Sequence, residues 1–213
     1  MTVRGASSPS PAQTRQQRTH DRVRRDILMA AAEVFARHGY AAATLADLAE
    51  AAGYAPPSLY RYFKSKEEIF SSLTELLKGE LLGTFELPVD RGQPLAARLE
   101  ALLRAQLELM RERRVLFGVL LATQPEAEAG RAPVPDLRAG VALYEAHLAE
   151  WLRRHVARRE LRCPVELAAR ALAGVSHAFH RCHASGSDDT PVAEQARQVV
   201  DLALHGFQAA GPS

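Results

Sequence analysis

The sequence predicts an all-α fold of about nine helices, and three features of the chain lead to this prediction. From residue 19 onward, apolar side chains recur at intervals of three and four residues, which gives a helix one apolar face. No segment alternates apolar and polar residues in the way that a half-buried strand requires. Proline and glycine interrupt the pattern where helices are expected to end, as at Pro88, Gly92 and Pro94.

The first predicted helix carries an apolar stripe that begins at Val23 and stops before Gly39. Thr44 then precedes a short second helix, and a third begins near Ser58. The predicted helices after the first cover residues 45–52, 58–63, 65–85, 95–111, 115–121, 136–159, 164–183 and 191–208, with a loop at 124–135.

The composition is that of a soluble globular protein, with 47% hydrophobic and 24% charged residues among 213. No run of about 18 apolar residues appears, so no transmembrane helix and no membrane partner are predicted. The polar residues 1–18 contain no apolar block that would act as a signal peptide, and we expect a cytoplasmic protein. Cys163 and Cys182 are then expected to be reduced thiols.

Positive charge is concentrated in the N-terminal third of the chain. Residues 1–66 contain ten Lys or Arg against five Asp or Glu, whereas the remaining residues contain seventeen against twenty. A basic segment joined to a mildly acidic remainder favours contact with a polyanion at one end of the molecule.

The segment TLADLAEAAGYAPPSLYRYF has the spacing of two short helices joined by a tight turn. Thr44 and Asp47, and likewise Ser65 and Glu68, have the spacing of capping boxes at helix starts. Gly53 is expected to take the positive φ that the turn requires, because glycine adopts it at little cost. The two prolines that follow are expected in the first helical turn, where a missing N–H costs little. The segment therefore predicts a helix-turn-helix.

The longer run HGYAAATLADLAEAAGYAPPSLYRYFKSKEEIF is similar to the DNA-binding region of the tetracycline-repressor (TetR) family over roughly residues 20–70. The matching positions are Gly39, Tyr40, Thr44, Leu48, Ala49, Ala52, Gly53, Leu59, Tyr60, Phe63, Lys66 and Glu67. The resemblance implies a helix-turn-helix domain at 19–65, after a disordered basic tail at 1–18 and before a ligand-binding and dimerisation domain at 66–213. It also implies a homodimeric repressor that binds palindromic double-stranded operator DNA and responds to an unidentified small-molecule effector.

The DNA contacts are expected to be of two kinds: contacts to phosphates, which position the protein on the duplex, and contacts to base edges, which read the sequence. Thr44, Tyr60 and Lys66 are expected to donate to phosphates, which fixes register without reading sequence. The side chains expected to reach base edges lie in the second short helix and are Ser58 and Arg61, flanked by Pro56 and Pro57.

Three readings of this region qualify those contacts. Ala55 stands where the family often has a serine, so it provides no hydroxyl for a phosphate and caps its helix poorly. Arg61 as solvated surface remains an alternative, and Tyr62 is predicted to pack in the core. Arg4, Arg15 and Arg18 are expected to belong to a tail with no fixed role, although entry into a minor groove is the alternative.

A second candidate site lies among the helices between residues 95 and 185. Its apolar members are expected to line a cavity for the effector, with two histidines as polar contacts. For any single member, simple filling of the core is the alternative. The candidate ligand-binding residues are Met110, Phe117, Leu120, Tyr144, His147, Trp151, His177 and Phe179.

The last two helices are predicted to form the dimer interface as a four-helix bundle. Small residues, Ala171 and Gly174, would allow the helices to approach closely. Burial of both apolar stripes within one subunit is the alternative. The candidate interface residues are Leu172, Val175, Val192, Ala196, Val199, Ala203 and Phe207.

The segment SHAFHRCHAS contains four residues of metal-binding type, namely His177, His180, Cys182 and His183. Their helical spacing spreads them around the axis, and no carboxylate stands beside them, so we expect neither a metal nor another cofactor. No phosphate-binding glycine loop or serine-hydrolase motif is present, and the chain is predicted not to be an enzyme. The competing class is a helical protein-interaction module without specific DNA binding.

Overall fold

A computed structural model describes residues 11–128, 137–184 and 190–206, with side chains at 15–123, 139–179 and 190–206. All regular secondary structure within these ranges is helical, which confirms the predicted all-α class. None of the described helices is long and apolar enough to cross a membrane. The helices are α1 (Pro11–Ala42), α2 (Leu45–Ala51), α3 (Pro56–Leu59), α4 (Lys66–Gly83), α5 (Leu95–Glu112), α6 (Arg114–Glu128), α7 (Leu137–His155), α8 (Val165–Ala184) and α9 (Val192–His205).

The start of α1 differs from the prediction. Residues 11–18 are helical and continuous with the rest of α1, so they are not the disordered tail that the sequence predicts. Residues 1–10 lie outside the described part of the chain. The other end of α1 agrees with the prediction, because Gly39 has φ 75° and interrupts the helix before a last turn to Ala42.

Two later boundaries also differ. α6 continues to Glu128, through the start of the predicted loop. Its last three residues, at 126–128, are glutamate, alanine and glutamate, which have high helix propensity. The spacing of apolar residues, from which the helix end was predicted, does not show this propensity. α7 ends at His155 rather than at residue 159 because the Glu160 carboxylate accepts a hydrogen bond from the N–H of Ala157 at 2.8 Å. That contact tightens residues 158–160 into a short 3₁₀ turn.

The apolar side chains form two cores, and the division does not follow chain order. The first core joins α1 to α2, α3 and α4, and it also includes Leu116, Phe117 and Val119 of α6. The second core joins α5, α7, α8 and α9. The helix-turn-helix region therefore shares its core with α6, which the sequence places in the following domain.

The apolar stripe of α9 is buried within its own chain. Val192, Ala196 and Val199 are 6%, 1% and 1% exposed and pack in the second core, where α9 lies along α5. Leu172 of α8 is in the same core, and Val175 is partly buried against it. Burial within one protomer of Leu172, Val192, Ala196 and Val199 argues against their predicted role in a subunit interface, whereas Val175 is only partly covered. Of the other two candidates, Ala203 is exposed and Phe207 lies outside the described residues.

Burial of α9 within one protomer changes the expected effect of a charge in its stripe. Val199→Asp should lower the free energy of unfolding by roughly 3 kcal/mol or more, because it places a carboxylate in an apolar core. Ala203→Asp on the exposed side of the same helix should cost less than about 1 kcal/mol. Urea unfolding measures both variants. Equal unfolding midpoints for the two would show that Val199 is not in the core.

Candidate nucleic-acid interface

The start of α2 is fixed by a reciprocal pair of hydrogen bonds. The hydroxyl of Thr44 accepts from the N–H of Asp47 at 3.2 Å, and the Asp47 carboxylate accepts from the N–H of Thr44 at 2.9 Å. The Thr44 hydroxyl also donates to that carboxylate, which lowers the pKa of Asp47. The predicted capping box is confirmed, and it holds an exposed threonine at the helix start.

The turn after α2 is a Schellman motif centred on glycine. Gly53 has φ 72°, its N–H donates to the Glu50 carbonyl at 2.9 Å, and the N–H of Tyr54 donates to the Ala49 carbonyl at 2.8 Å. These two bonds satisfy carbonyls that the end of a helix leaves without partners. The predicted positive φ at Gly53 is confirmed.

The next helix begins with two prolines and no side-chain cap. Ala55 occupies the N-cap position, and Pro56 and Pro57 follow it without N–H groups. The first N–H groups of the helix, at Ser58 and Leu59, both donate to the carbonyl of Ala55 at 2.8 and 3.3 Å. This helix start therefore offers few backbone donors to a phosphate.

Hydrogen-bonded turns continue beyond α3 as far as Phe63. The N–H groups of Tyr62 and Phe63 both donate to the carbonyl of Leu59, at 2.9 and 3.0 Å. We call residues 56–63 the recognition segment. Leu59 and Phe63 are buried beneath it, at 2% and 1% exposure, whereas Tyr60 is 57% exposed and Arg61 is also exposed.

The two tyrosines of the recognition segment take different roles. The ring of Tyr62 lies between those of Tyr54 and His20, with centroids 6.1 and 5.2 Å away. Tyr62 therefore packs, as predicted, and leaves Tyr60 on the outer surface. That surface also presents Pro56 and Pro57 as exposed rings, with Ser58 half-buried beside them.

Lys64 is a functional candidate that the sequence reasoning did not select. It is exposed directly after the recognition segment, and no hydrogen bond or ion pair of its ammonium is found among the described side chains. The signal available in the sequence was the pair of lysines in FKSK. Only one of the two is in a position to meet a phosphate.

The other lysine has a different partner from the one expected. The Lys66 ammonium donates to the carbonyls of Tyr40, Ala41 and Ala43 at 2.8, 3.2 and 2.9 Å, and lies 4.5 Å from the centre of the Tyr40 ring. An ammonium has three N–H donors, so all three are occupied. This geometry does not support the expected phosphate contact of Lys66, whose role here is to join α4 to the end of α1.

The second predicted capping box is only half formed. The Ser65 hydroxyl accepts from the N–H of Glu68 at 3.2 Å, but the Glu68 carboxylate accepts from the N–H of Lys64 at 2.7 Å. The Glu68 carboxylate therefore binds the N–H of the residue before the N-cap, rather than that of the N-cap residue Ser65 itself. It helps to hold the turn between the recognition segment and α4.

Arg24 of α1 fixes the far end of the recognition segment. Its guanidinium donates to the carbonyl of Tyr62 and to the hydroxyl of Ser72 at 3.3 Å. It also lies 4.0 Å from the centre of the Phe63 ring and 3.7 Å from the Glu68 carboxylate. One arginine thus contacts the recognition segment and α4 together.

The structure does not bring all the candidate ligand-binding residues together. Met110 and Phe117 belong to the first core, and Leu120 packs against it. Tyr144, Trp151 and Phe179 belong to the second core or pack against it. The prediction from helical spacing alone therefore assigned residues of two separate cores to one ligand cavity.

A chain of neutral polar groups crosses the second core beside Tyr144. The Tyr144 hydroxyl donates to the Gln106 side chain at 2.7 Å, and the Gln106 amide donates to the Thr84 hydroxyl at 3.1 Å. Gln106 is fully buried, and burial raises the pKa of the Tyr144 phenol. Gln106 was not among the predicted site residues because a glutamine within an apolar stripe resembles a solvent-facing residue.

The histidines of the predicted sites are less closely organised. His147 has its Nδ1 2.9 Å from the Leu143 carbonyl, and its ring lies 6.0 Å from that of Phe85. His177 is half-buried on α8. The side chains of His180, Cys182 and His183 lie outside the described residues.

Because Gly53 has a positive φ and Gly79 does not, alanine substitution at the two positions should have different effects on the free energy of unfolding. Gly53→Ala should lower the free energy of unfolding by roughly 1–2 kcal/mol, because a side chain disfavours the left-handed backbone. No atom lies within 4 Å of a Cβ built at Gly53 or at Gly79 of α4, so crowding contributes at neither position. Gly79→Ala should be neutral or stabilise by up to about 1 kcal/mol. Urea unfolding of the pair tests the turn, and equal stabilities would contradict it.

A protein-family model described as bacterial regulatory proteins of the tetR family matches residues 27–73. The HTH-type transcriptional repressor KstR2 of Rhodococcus jostii is 40% identical over 88 residues, which are 40% of this chain and 42% of that protein. The HTH-type transcriptional activator FasR of Mycolicibacterium smegmatis is 30% identical over 131 residues, 59% of this chain and 60% of that protein. The chain spans less than two thirds of the length of both relatives.

Solved structures agree over a larger part of the fold. The TetR-family regulator PfmR of Thermus thermophilus is 28% identical with a TM-score of 0.66, over 86% of this chain and 99% of that one. The relatives are transcriptional regulators rather than enzymes, in agreement with the prediction, and they do not favour the alternative of a protein-interaction module. With its capped α2, Schellman turn and exposed recognition segment, the N-terminal part of the chain matches the tetR family of bacterial regulatory proteins over residues 27–73, and the fold as a whole is similar to that of PfmR.

Proposed function

We propose that this protein is a ligand-responsive transcriptional repressor that binds a palindromic operator as a homodimer in the cytoplasm. The observation that carries the proposal is the recognition segment, whose apolar side chains are buried while Tyr60, Arg61 and two proline rings face outward. A short helix held rigidly on its inner side, with an arginine on its outer side, is suited to the major groove.

We call the three-helix unit at residues 23–63, formed by α1, α2 and the recognition segment, the head. Its outer surface supports a division of roles in DNA binding. Arg61 and Ser58 are the proposed contacts to base edges, and the rings of Pro56 and Pro57 suit apolar contact with thymine methyl groups. The proposed phosphate donors are Tyr60 on the recognition segment and Lys64 directly after it. Thr44, at the start of α2, joins them only by exchanging its hydrogen bond to Asp47 for one to a phosphate.

The proposed effector site lies in the second core. Tyr144, Trp151 and Phe179 supply apolar surface there, and the chain from Tyr144 through Gln106 to Thr84 supplies neutral hydrogen-bonding groups. His147 and His177 are the proposed polar contacts at its margin. A ligand that prefers one arrangement of these helices shifts the population of DNA-binding molecules by its differential affinity.

The proposed dimer contact moves from α9 to the outer face of α8. Leu167, Ala171, Gly174 and Ala178 are exposed and recur at four, three and four residues, so they form one stripe along the helix. Leu167 is 52% exposed, which is unusual for a large apolar side chain, and the three small residues allow a second helix to approach closely. A second copy of this chain suits such a self-complementary face.

Arg61 is expected to read sequence. From a pool of random duplexes, the protein should select an operator, and Arg61→Ala should weaken that complex by roughly 1–3 kcal/mol while relaxing preference at one base pair. Lys64→Ala should instead weaken binding to all duplexes alike and reduce the salt dependence by about one unit per subunit. Equal losses on operator and random DNA for Arg61→Ala would remove its reading role. Failure of the unmodified protein to bind any duplex would refute the proposed function.

The proposed dimer contact on α8 can be tested by placing a charged residue in its apolar stripe. Leu167→Asp should convert the dimer to a monomer in sedimentation velocity, with little change in the unfolding midpoint, because the side chain is exposed in one protomer. Leu87→Asp, at a side chain 48% exposed in the connection between α4 and α5, should leave the dimer intact. A dimeric Leu167→Asp protein would place the interface elsewhere.

A further inference from the structure

The N-terminal part of α1 extends beyond the three-helix head. α1 begins at Pro11, twelve residues before Val23, which is the first apolar side chain among those described that packs against the first core. At 1.5 Å per residue this extension is roughly 18 Å long. We call residues 11–22 the arm.

The arm presents a stripe of arginines. Arg15, Arg18 and Arg22 are all exposed and are three and four residues apart, so they share one face of the helix. Arg25 continues this face but is already paired with Glu80. Among the described side chains, no hydrogen bond or ion pair is found for the guanidinium groups of the three arm arginines.

Asp21, the acidic residue of the arm, does not pair with the arginines of the stripe. Asp21 accepts a hydrogen bond from the Gln17 side chain at 2.8 Å and lies 3.7 Å from His20 Nδ1. Like charges three and four residues apart on a helix repel one another and destabilise it. The arm therefore carries an electrostatic cost that binding to a polyanion would remove.

Two contacts place the base of the arm beside the recognition segment. The His20 ring lies 5.2 Å from the Tyr62 ring, and Arg24, one turn further on, donates to the Tyr62 carbonyl. The arm thus leaves the head next to the residue that follows Arg61. Because it is one helix with the packed part of α1, its direction is fixed relative to the recognition segment.

We propose that the arm binds the backbone phosphates of DNA that flank the bases read by the recognition segment, with Arg15, Arg18 and Arg22 each neutralising one phosphate. This inference rests on the proposed DNA-binding function and adds a second contact surface to it. The three arginines span about 10 Å along the helix axis, which matches about three nucleotides of one strand. Guanidinium groups suit phosphate oxygens because they donate two parallel hydrogen bonds.

The test compares two charge-matched triple variants of the full chain. Arg15→Gln, Arg18→Gln and Arg22→Gln remove the arm charges with a residue that favours helix. The control is Arg158→Gln, Arg159→Gln and Arg162→Gln, three exposed arginines beside Glu160, which pairs with Arg98 of α5, away from the head. Binding to a fluorescent random-sequence duplex of about 40 bp is measured by anisotropy over a range of KCl concentrations.

The arm variant should reduce the slope of log affinity against log salt by about 2–3 units for each bound protomer, and the control should leave it unchanged. Arginine-to-lysine exchange at the three arm positions should restore the slope, which separates charge from packing. A wild-type slope in the arm variant, or an equal loss in the control, would overturn the inference while leaving the proposed function intact. Absence of duplex binding by the unmodified protein would instead refute the proposed function.

Discussion

The fold is organised around the buried face of α1, which packs against two neighbours at once. Ile27, Val34 and Phe35 pack in the same core as the helix-turn-helix and as Leu116 and Phe117 of α6. An apolar face that is covered from two sides cannot release one neighbour without exposing surface to water, at about 25 cal/mol for each Å². The orientation of the recognition segment is therefore coupled to the position of α6, even though the two are far apart in the sequence.

An ion triad strengthens this coupling at the other edge of α1. Glu80 of α4 pairs with Arg25 of α1 and accepts two hydrogen bonds from Arg113, at the junction of α5 and α6, at 2.9 and 3.3 Å. Burial opposes ionisation of Glu80, but the hydrogen bonds and charges of the two arginines outweigh it and lower its pKa. Glu80 stays charged at neutral pH. A shift at the α5–α6 junction must move α4 and α1 with it or break these pairs.

Local signals in the sequence predict local structure well, and they do not identify partners that are distant along the chain. Gly53 and the Thr44–Asp47 pair were predictable because their contacts lie within a few residues. Lys66 was misassigned because its three carbonyl partners lie 23 to 26 residues earlier, and nothing beside it in the sequence indicates them. The stripe on α9 correctly predicts burial, but a stripe cannot show whether α5 of the same chain or a second copy covers it. The division of the apolar residues into two cores could not be predicted either, because the spacing of apolar residues along a helix does not show which helices pack against each other.

The proposed dimer contact on α8 has a consequence for the spacing of the two recognition segments. α8 packs against α7 and α5, and it also contacts α6, which in turn packs along α1. A continuous series of packed helices therefore leads from the outer face of α8 through α6 to α1, and from α1 through Arg24 to the carbonyl of Tyr62. Recognition segments that read a palindrome must lie about one helical turn of DNA apart, roughly 34–36 Å, or a multiple of it. Because α6 packs against both α8 and α1, its position bears directly on that spacing in the proposed dimer. We propose that a ligand in the second core releases the DNA through the packing of α6 on α1, rather than by reaching the recognition segment itself.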